Sequence, residues 1–462
     1  ASDLSRMIAA GRVAPSEVMA AVLDRIEAVN PALNAVVSLR DRDVLMAEAQ
    51  AADDAPHCGW LHGIPLAVKD LVATRGLRTT YGSPLFADFV PAQDDLLAAR
   101  MRAAGAIFIG KTNTPEWGQG SHSFNPVHGV THNPYDLSRS AGGSSGGAAA
   151  ALAARMLPVA DGSDMMGSLR NPAAFCNVYG FRPTWGLVPA DASGDTFLAT
   201  LATEGPMART VEDLARLLQV QAGPNPAVPF GRDTEDFSAR LDAPVKGMRI
   251  GWLGDWGGAY DCEPGILALC ETALTLFEDM GAVVEPVPAP YPAEKLWHAW
   301  TTLRAMLNAG AKRDLYTDPT KRAQTKPETL WEIEQGLGLS AGAVHAASTI
   351  RSHWYARAAA LFQTYDALVL PSAQVWPFSA DWRWPQTING RPMDTYHRWM
   401  EVVVPVSLAG LPALAVPVGF GAAGLPMGMQ IFGPTGADAR ILALGQNWHR
   451  ATDWPGRCPP PL

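Results

Sequence analysis

The sequence predicts an α/β domain of the doubly wound kind. Helical patterns alternate with short apolar runs at residues 64–68 (IPLAV), 106–111 (AIFIGK), 157–161 (LPVAD), 248–253 (MRIGWL) and 367–372 (ALVLPS). Hydrophobic residues make up 48% and charged residues 18%, enough to bury an extensive core. No break in composition demands a second domain, although the length of 462 residues would allow two or three.

Taken in order, residues 2–29 read as two amphipathic helices broken at Gly11, the second with Pro15 in its first turn and a stop at Asn30-Pro31. A short strand at 35–38 and a helix over about 40–52 follow. The run at 64–68 ends in turn-like Lys69-Asp70, as a buried strand would. Residues 94–105 then read as a helix with a glycine stop, leading into the strand at 106–111. The alanine-rich stretch SSGGAAAALAARM, the strand LPVAD and the turn GSDMMGS repeat the unit. After Pro206 come a helix (TVEDLARLLQVQAG), a loop at 224–229, a strand, and a further helix and strand at 266–287. Residues 291–360 read as mostly helical and tryptophan-bearing, a cover over one face. A long aromatic loop with Trp376, Trp382, Trp384 and Trp399 precedes a strand, strand, helix ending.

Composition excludes several classes of function. A formal charge of −9 gives no basic surface for nucleic acid or an acidic membrane. No run of about 18 apolar residues is present, and the first residues do not read as a charged-then-apolar leader. Five scattered cysteines without CxxC spacing fit a reducing, cytoplasmic setting. The groups His122, His128, His132 and His57, Cys58, His62 lack metal-ligand spacing with a carboxylate shell, so no metal is expected.

The chemistry concentrates between Arg139 and Ala174, where two Gly/Ser turns flank the alanine run. Gly142-Gly143-Ser144-Ser145-Gly146 formally matches GxSxG, but its lead-in NPYDLSRSA reads as a polar turn rather than the strand a nucleophile elbow requires. A Ser/Ser/Lys relay uses the same residues better. Lys69, next to apolar strand residues, is desolvated, which lowers its pKa and lets it act as a neutral base. A second hydroxyl both accepts and donates a proton, so one serine can relay between that lysine and another. Glycines around Ser168 leave backbone N–H groups able to converge on an oxyanion. Plainer readings exist for each residue: a snorkelling Lys69, Ser144 and Ser145 as helix caps, Ser168 as a turn residue.

The chain resembles the amidase signature family. The matching segments are HGIPLAVKD, GKTNTPEW, NPYDLSRSAGGSSGGAAAALAA, ADGSDMMGSLRNPAAFCNVYGFRPTWGLVP, GLPALAVPVGF and GLPMGMQIFG, in family order across nearly the whole chain. The resemblance implies one domain over 1–462 with a central mixed β-sheet covered on both faces by helices. Within it, 60–205 would be the signature core and about 291–400 the helical and aromatic cover. It further implies Lys69 as base, Ser144 as relay serine held by a cis peptide, and Ser168 as nucleophile. The N–H groups of Met165, Met166, Gly167 and Ser168 would form the oxyanion hole, with Ser145, Asp164 and Arg170 bracing the loops. The activity implied is hydrolysis of a small-molecule carboxamide without cofactor, and a homodimer is an allowed assembly. The alternatives are the A subunit of a tRNA-dependent amidotransferase and a non-catalytic member. The first carries an ASSLDQ-type stretch where this chain has ASGDTFLATLATEGP; the second is disfavoured because all three triad residues are present.

Two departures from the family pattern stand out. Met166 replaces a glycine and Met165 a small or β-branched residue, which predicts a narrowed acyl pocket. Ser407 stands where asparagine is common. Two further residues are expected near substrate: Gln119, against the amide, and Trp376, lining an apolar pocket.

Overall fold

The computed structural model describes residues 1–191 and 194–462; Ala192 and Ser193, at the start of the ASGDTFLATLATEGP stretch, lie outside the described residues. The helices and strands fall close to where periodicity places them, and they build an α/β domain on a large mixed sheet flanked by helices.

That sheet has eight strands in the order Val283–Pro286, Arg249–Trp252, Ala367–Pro371, Pro426–Phe432, Ala413–Phe420, Tyr179–Arg182, Thr203–Ala208, Val159–Asp164. Only the first three run parallel; every later pairing is antiparallel. The doubly wound expectation is corrected accordingly. Strands Pro65–Lys69 and Ile107–Thr112 pair in parallel with each other, and Val36–Val37 adds antiparallel to form a separate three-stranded sheet. The apolar runs at 64–68 and 106–111 are fully buried strands as expected, but burial alone does not say which sheet a strand joins.

The helix Gly146–Ala153 is buried along its entire length. Alanine suits it because small side chains let backbones on all sides approach closely. Gly147 shows how closely: a Cβ there would lie 2.3 Å from Asn113 N and 2.6 Å from Ala35 O. The lead-in to this helix is also corrected. Residues Asp136–Ser140 form a strand, paired with His132–Asn133, that delivers the chain into Gly142.

The second N-terminal helix runs Pro15–Leu33, through the stop expected at Asn30-Pro31. The turn comes at Asn34 in the left-handed conformation, while the Asn30 side chain accepts from the N–H groups of Ala35 and Val36. Residues 291–360 are mostly helical as expected, with the long helices Ala293–Ala311, Pro327–Leu337 and Ala341–Leu361. The abundance of tryptophan has a structural reason. Trp256, Trp300, Trp354, Trp399 and Trp448 are fully buried, and each indole N–H has an acceptor, four of them main-chain carbonyls and the fifth the Met166 sulfur. Among the described residues no helix is long and apolar enough to cross a membrane.

Candidate active site

The site forms where the small sheet meets the edge of the large one. Lys69 ends the strand Pro65–Lys69, and its main-chain N–H donates to both carboxylate oxygens of Asp161 at 3.1 and 3.2 Å, tying one sheet to the other. Its amine is fully buried. Nζ contacts three hydroxyls: Ser144 Oγ at 2.8 Å, Ser145 Oγ at 2.8 Å and Ser163 Oγ at 2.9 Å. A charged lysine donates to all three; a neutral one donates to two and accepts from the third, so the shell accommodates both protonation states. Burial pushes the Lys69 amine well below its ordinary value, against the opposing pull of Glu204, Asp161 and Asp164.

The Gly143–Ser144 peptide bond is cis. Ser145 occupies the N-cap position of the alanine helix, yet its hydroxyl makes no cap bond and goes to Lys69. The capping role expected of it is corrected by that contact. Ser168 lies across a cavity of about 160 Å³ that it shares with Ser144, Ser163, Met165 and Met166. Among the described residues the Ser168 hydroxyl has no hydrogen-bond partner. Its carbonyl accepts from the Ser145 N–H at 3.2 Å, which joins the two serine turns directly.

The second turn is held by a buried ionic network. Asp164 accepts from Arg170 Nε at 2.9 Å and Nη2 at 3.0 Å, from the N–H groups of Gly167 at 2.8 Å and Leu169 at 3.2 Å, and from Arg182 at 3.2 Å. Burial would raise the Asp164 pKa, but the two guanidinium charges outweigh it and hold the carboxyl well below the usual range. Arg170 also donates to Gln430 Oε1 at 2.5 Å and to Ser407 Oγ at 2.7 Å, which gives Ser407 its place: it accepts from the arginine that braces the turn.

Of the four N–H groups expected to face an oxyanion, that of Gly167 points to Asp164 instead. Among the described residues those of Met165, Met166 and Ser168 have no protein acceptor. Gly167 has φ +80°, and a Cβ there would sit 2.0 Å from Asn171 Oδ1. Met165 and Met166 are not in the left-handed region, so the turn needs a glycine only at 167 and tolerates methionine at 166. Both side chains reach the covering helix Ala293–Ala311. Trp300 Nε1 donates to Met166 Sδ at 3.2 Å and Arg304 Nη1 to Met165 Sδ at 3.4 Å.

Gln119 lines the cavity, but its amide is already engaged: Nε2 donates to Asn308 at 3.1 Å and Glu332 at 2.9 Å, and Oε1 accepts from Thr329. These bonds tie Gln119 to the helices Ala293–Ala311 and Pro327–Leu337. Trp376 is elsewhere. Its indole donates to Pro264 O at 3.2 Å, and it lines a different cavity with Glu263, Phe378 and Trp382 that contains none of Lys69, Ser144 or Ser168. Met400, just past the aromatic loop, lines the cavity that holds Ser144 and Ser168. His122 bridges Ser140 and Ala380, and among the described residues no group of three His, Cys, Asp or Glu side chains is placed to hold a metal.

Residues that sequence reasoning missed complete the walls. Ser163 is two positions after Asp161 on one strand, so both face Lys69; strand alternation would have found it. Arg304, Asn308 and Lys312 come from the cover, and Arg304 is paired with Glu332 at 2.5 Å and with Tyr396 at 2.8 Å. Glu204 comes from the neighbouring strand.

A mixed-sheet α/β enzyme with a lysine buried among serines narrows the choice of class, and comparison with known proteins settles the family. The family model described as Amidase matches residues 17–442, and the chain belongs to that family, the amidase signature enzymes, which act on C–N bonds. An acylamidase of Rhodococcus erythropolis is 33% identical, over 99% of this chain and 96% of its own. The A subunit of the glutamyl-tRNA(Gln) amidotransferase of Thermus thermophilus is 36% identical, over 98% of this chain and 97% of its own. Among solved structures, a bacterial aryl acylamidase of the same family superposes with a TM-score of 0.90 at 30% identity, over 97% of this chain and 95% of the other.

Proposed function

We propose that the protein is an amidohydrolase that cleaves a small or aromatic, apolar carboxamide through an acyl-enzyme on Ser168. The observation that carries this reading is the 2.8 Å contact between buried Lys69 Nζ and Ser144 Oγ, beside a cavity that Ser168 shares. In the reaction, neutral Lys69 takes the Ser144 proton as Ser144 takes that of Ser168. The Ser168 oxygen then bonds to the carbonyl carbon. The negative charge that develops on the carbonyl oxygen is met by the N–H groups of Met165, Met166 and Ser168. As the C–N bond breaks, the proton held on Lys69 returns through Ser144 to the leaving nitrogen. Water, deprotonated along the same path, then splits the ester.

The size of the inner cavity, about 160 Å³, supports a compact acyl group. Beyond Met165 and Asn308 lies a larger cavity of about 740 Å³ with Leu198, Leu201, Met306 and Leu307 on its walls, suited to an apolar remainder. The names of the acylamidase and aryl acylamidase relatives agree with such a substrate.

A second reading is supported by the equally similar amidotransferase subunits: a chain that releases ammonia from glutamine within a larger complex. Incubation of the purified chain alone separates the two. Amidohydrolase action predicts turnover of anilides without a partner and labelling of Ser168 by a fluorophosphonate, lost in Ser168→Ala. Activity on glutamine only, and only with added partner proteins, would favour the second reading.

A further inference from the structure

Glu204 is a carboxylate that the Lys69–Ser144–Ser168 scheme does not use, although it stands in the wall of the same cavity as Ser144, Ser163 and Ser168. It lies on the strand Thr203–Ala208, whose antiparallel pairing with Val159–Asp164 sets Glu204 directly opposite Ser163. Directly opposed residues in an antiparallel pair project to the same face with adjacent Cβ atoms. Ser163 is one of the three hydroxyls on Lys69 Nζ, so the register brings Glu204 and the Lys69 amine to the same spot from two strands. On its other side Glu204 borders a second cavity, which Asp95 and Asp191 also line. Its Oε2 is buried, and among the described residues it has no hydrogen-bond partner. Lys69 is the cation that influences it most.

We propose that Glu204 is a positioning residue that acts through Lys69, its carboxyl setting the pH at which the lysine becomes a base. This rests on the Ser168–Ser144–Lys69 assignment. Burial drives the two groups toward the same end, pushing the Lys69 amine down and the Glu204 carboxyl up, while each charge favours the other. The pair therefore titrates as a unit. After one proton has left it, two arrangements exist: an ammonium with a carboxylate, or a neutral amine with a carboxylic acid. Only the second holds a base for Ser144. An ionised Glu204 thus delays activation, and a protonated one permits it.

Other charged groups surround the pair, and Asp161, which acts on both, responds when Glu204 is changed. Asp161 faces both groups, pushed by burial up to about 6. Asp164 is locked to Arg170 and Arg182, and Lys111 is buried on the neighbouring strand, donating to Val72 O and Thr74. Asp95 and Asp191 act on Glu204 from the side of the second cavity.

The test is the pH dependence of the second-order rate of Ser168 labelling by a fluorophosphonate, which requires an activated nucleophile and no leaving amine. Three variants are compared with the wild type: Glu204→Gln, Glu204→Met and Glu204→Asp. Gln and Met cannot carry the charge, so their acid limb should move about one pH unit lower. On that limb this amounts to roughly 10-fold faster labelling than wild type, relative to each plateau. Glu204→Asp keeps the charge and should stay near the wild-type limb. Met fills the site if Gln disturbs folding. Limbs that coincide in the wild type and a soluble charge-free variant, with Ser168 still labelled, would overturn the proposal. A wild-type protein not labelled on Ser168 at any pH would instead remove the triad assignment beneath it.

Discussion

The indole N–H of Trp300 donates to the sulfur of Met166 at 3.2 Å, and one turn further along the same helix Arg304 reaches the sulfur of Met165 at 3.4 Å. Two side chains on the turn that carries Ser168 are thereby clasped by the cover. Met166→Gly should enlarge the inner cavity and release this contact. Over a series of amides with lengthening acyl groups, kcat/KM for the longer members relative to the shortest should rise about 10-fold or more, the usual worth of a methylene or two in a tight pocket. An unchanged acyl preference would show that the methionines do not shape that pocket. The same site predicts a loss of about 2–5 kcal/mol for Met166→Ala in chemical denaturation, since the side chain is buried.

Ser163 Oγ lies 2.9 Å from Lys69 Nζ and stands outside the proposed relay. Ser163→Ala should lower kcat/KM by roughly 10-fold, the worth of one hydrogen bond to a charged group. Thermal unfolding should move little, because Ser163 is only partly buried.

Asp164 binds Arg170 and Arg182 deep in the core, and its pKa lies below that of the unfolded chain. A depressed carboxyl contributes stability that is present above about pH 4 and is lost as the pH falls further. Urea unfolding of the wild type should weaken over that acid range. In Asp164→Asn this component should be absent, and stability at pH 7 should be lower by about 3–5 kcal/mol because two buried guanidinium groups lose their counter-charge. Ser407→Ala, which removes one acceptor from Arg170, should cost about 1.5–3 kcal/mol, with Ser407→Asn restoring part of it.

Trp376 lies in a cavity separate from the serines. Trp376→Ala should leave kcat/KM within about 3-fold of wild type even though it removes a large aromatic side chain. A loss of about 100-fold on aromatic amides would place that residue in the substrate path after all.

These outcomes also mark where the sequence is informative. Lys69, Ser144 and Ser168 are each embedded in a local pattern, a buried strand end or a Gly/Ser turn, so their type and setting are visible along the chain. Glu204 is not, because its position beside Lys69 depends on the pairing of two strands about 40 residues apart, and register is a tertiary property. The same holds for the sheet to which Pro65–Lys69 belongs and for Arg304, whose charge is neutralised by Glu332 on another helix. Pro31 misled for a different reason: proline favours a helix end, but here the helix runs on to Leu33 and turns only at the left-handed Asn34. Trp376 lines a cavity apart from the serines: an aromatic-rich loop signals burial of apolar surface without saying which surface it covers.

The proposed reaction passes through an ester between the substrate acyl group and Ser168. Rapid quenching of the purified protein during turnover of an activated ester or anilide, followed by peptide mass analysis, reads that bond directly. The expected result is the mass of the acyl group on the peptide that contains Ser168, present in the wild type and absent in Ser168→Ala. Steady turnover with no acyl group on that peptide, or with the acyl group on another residue, would contradict it.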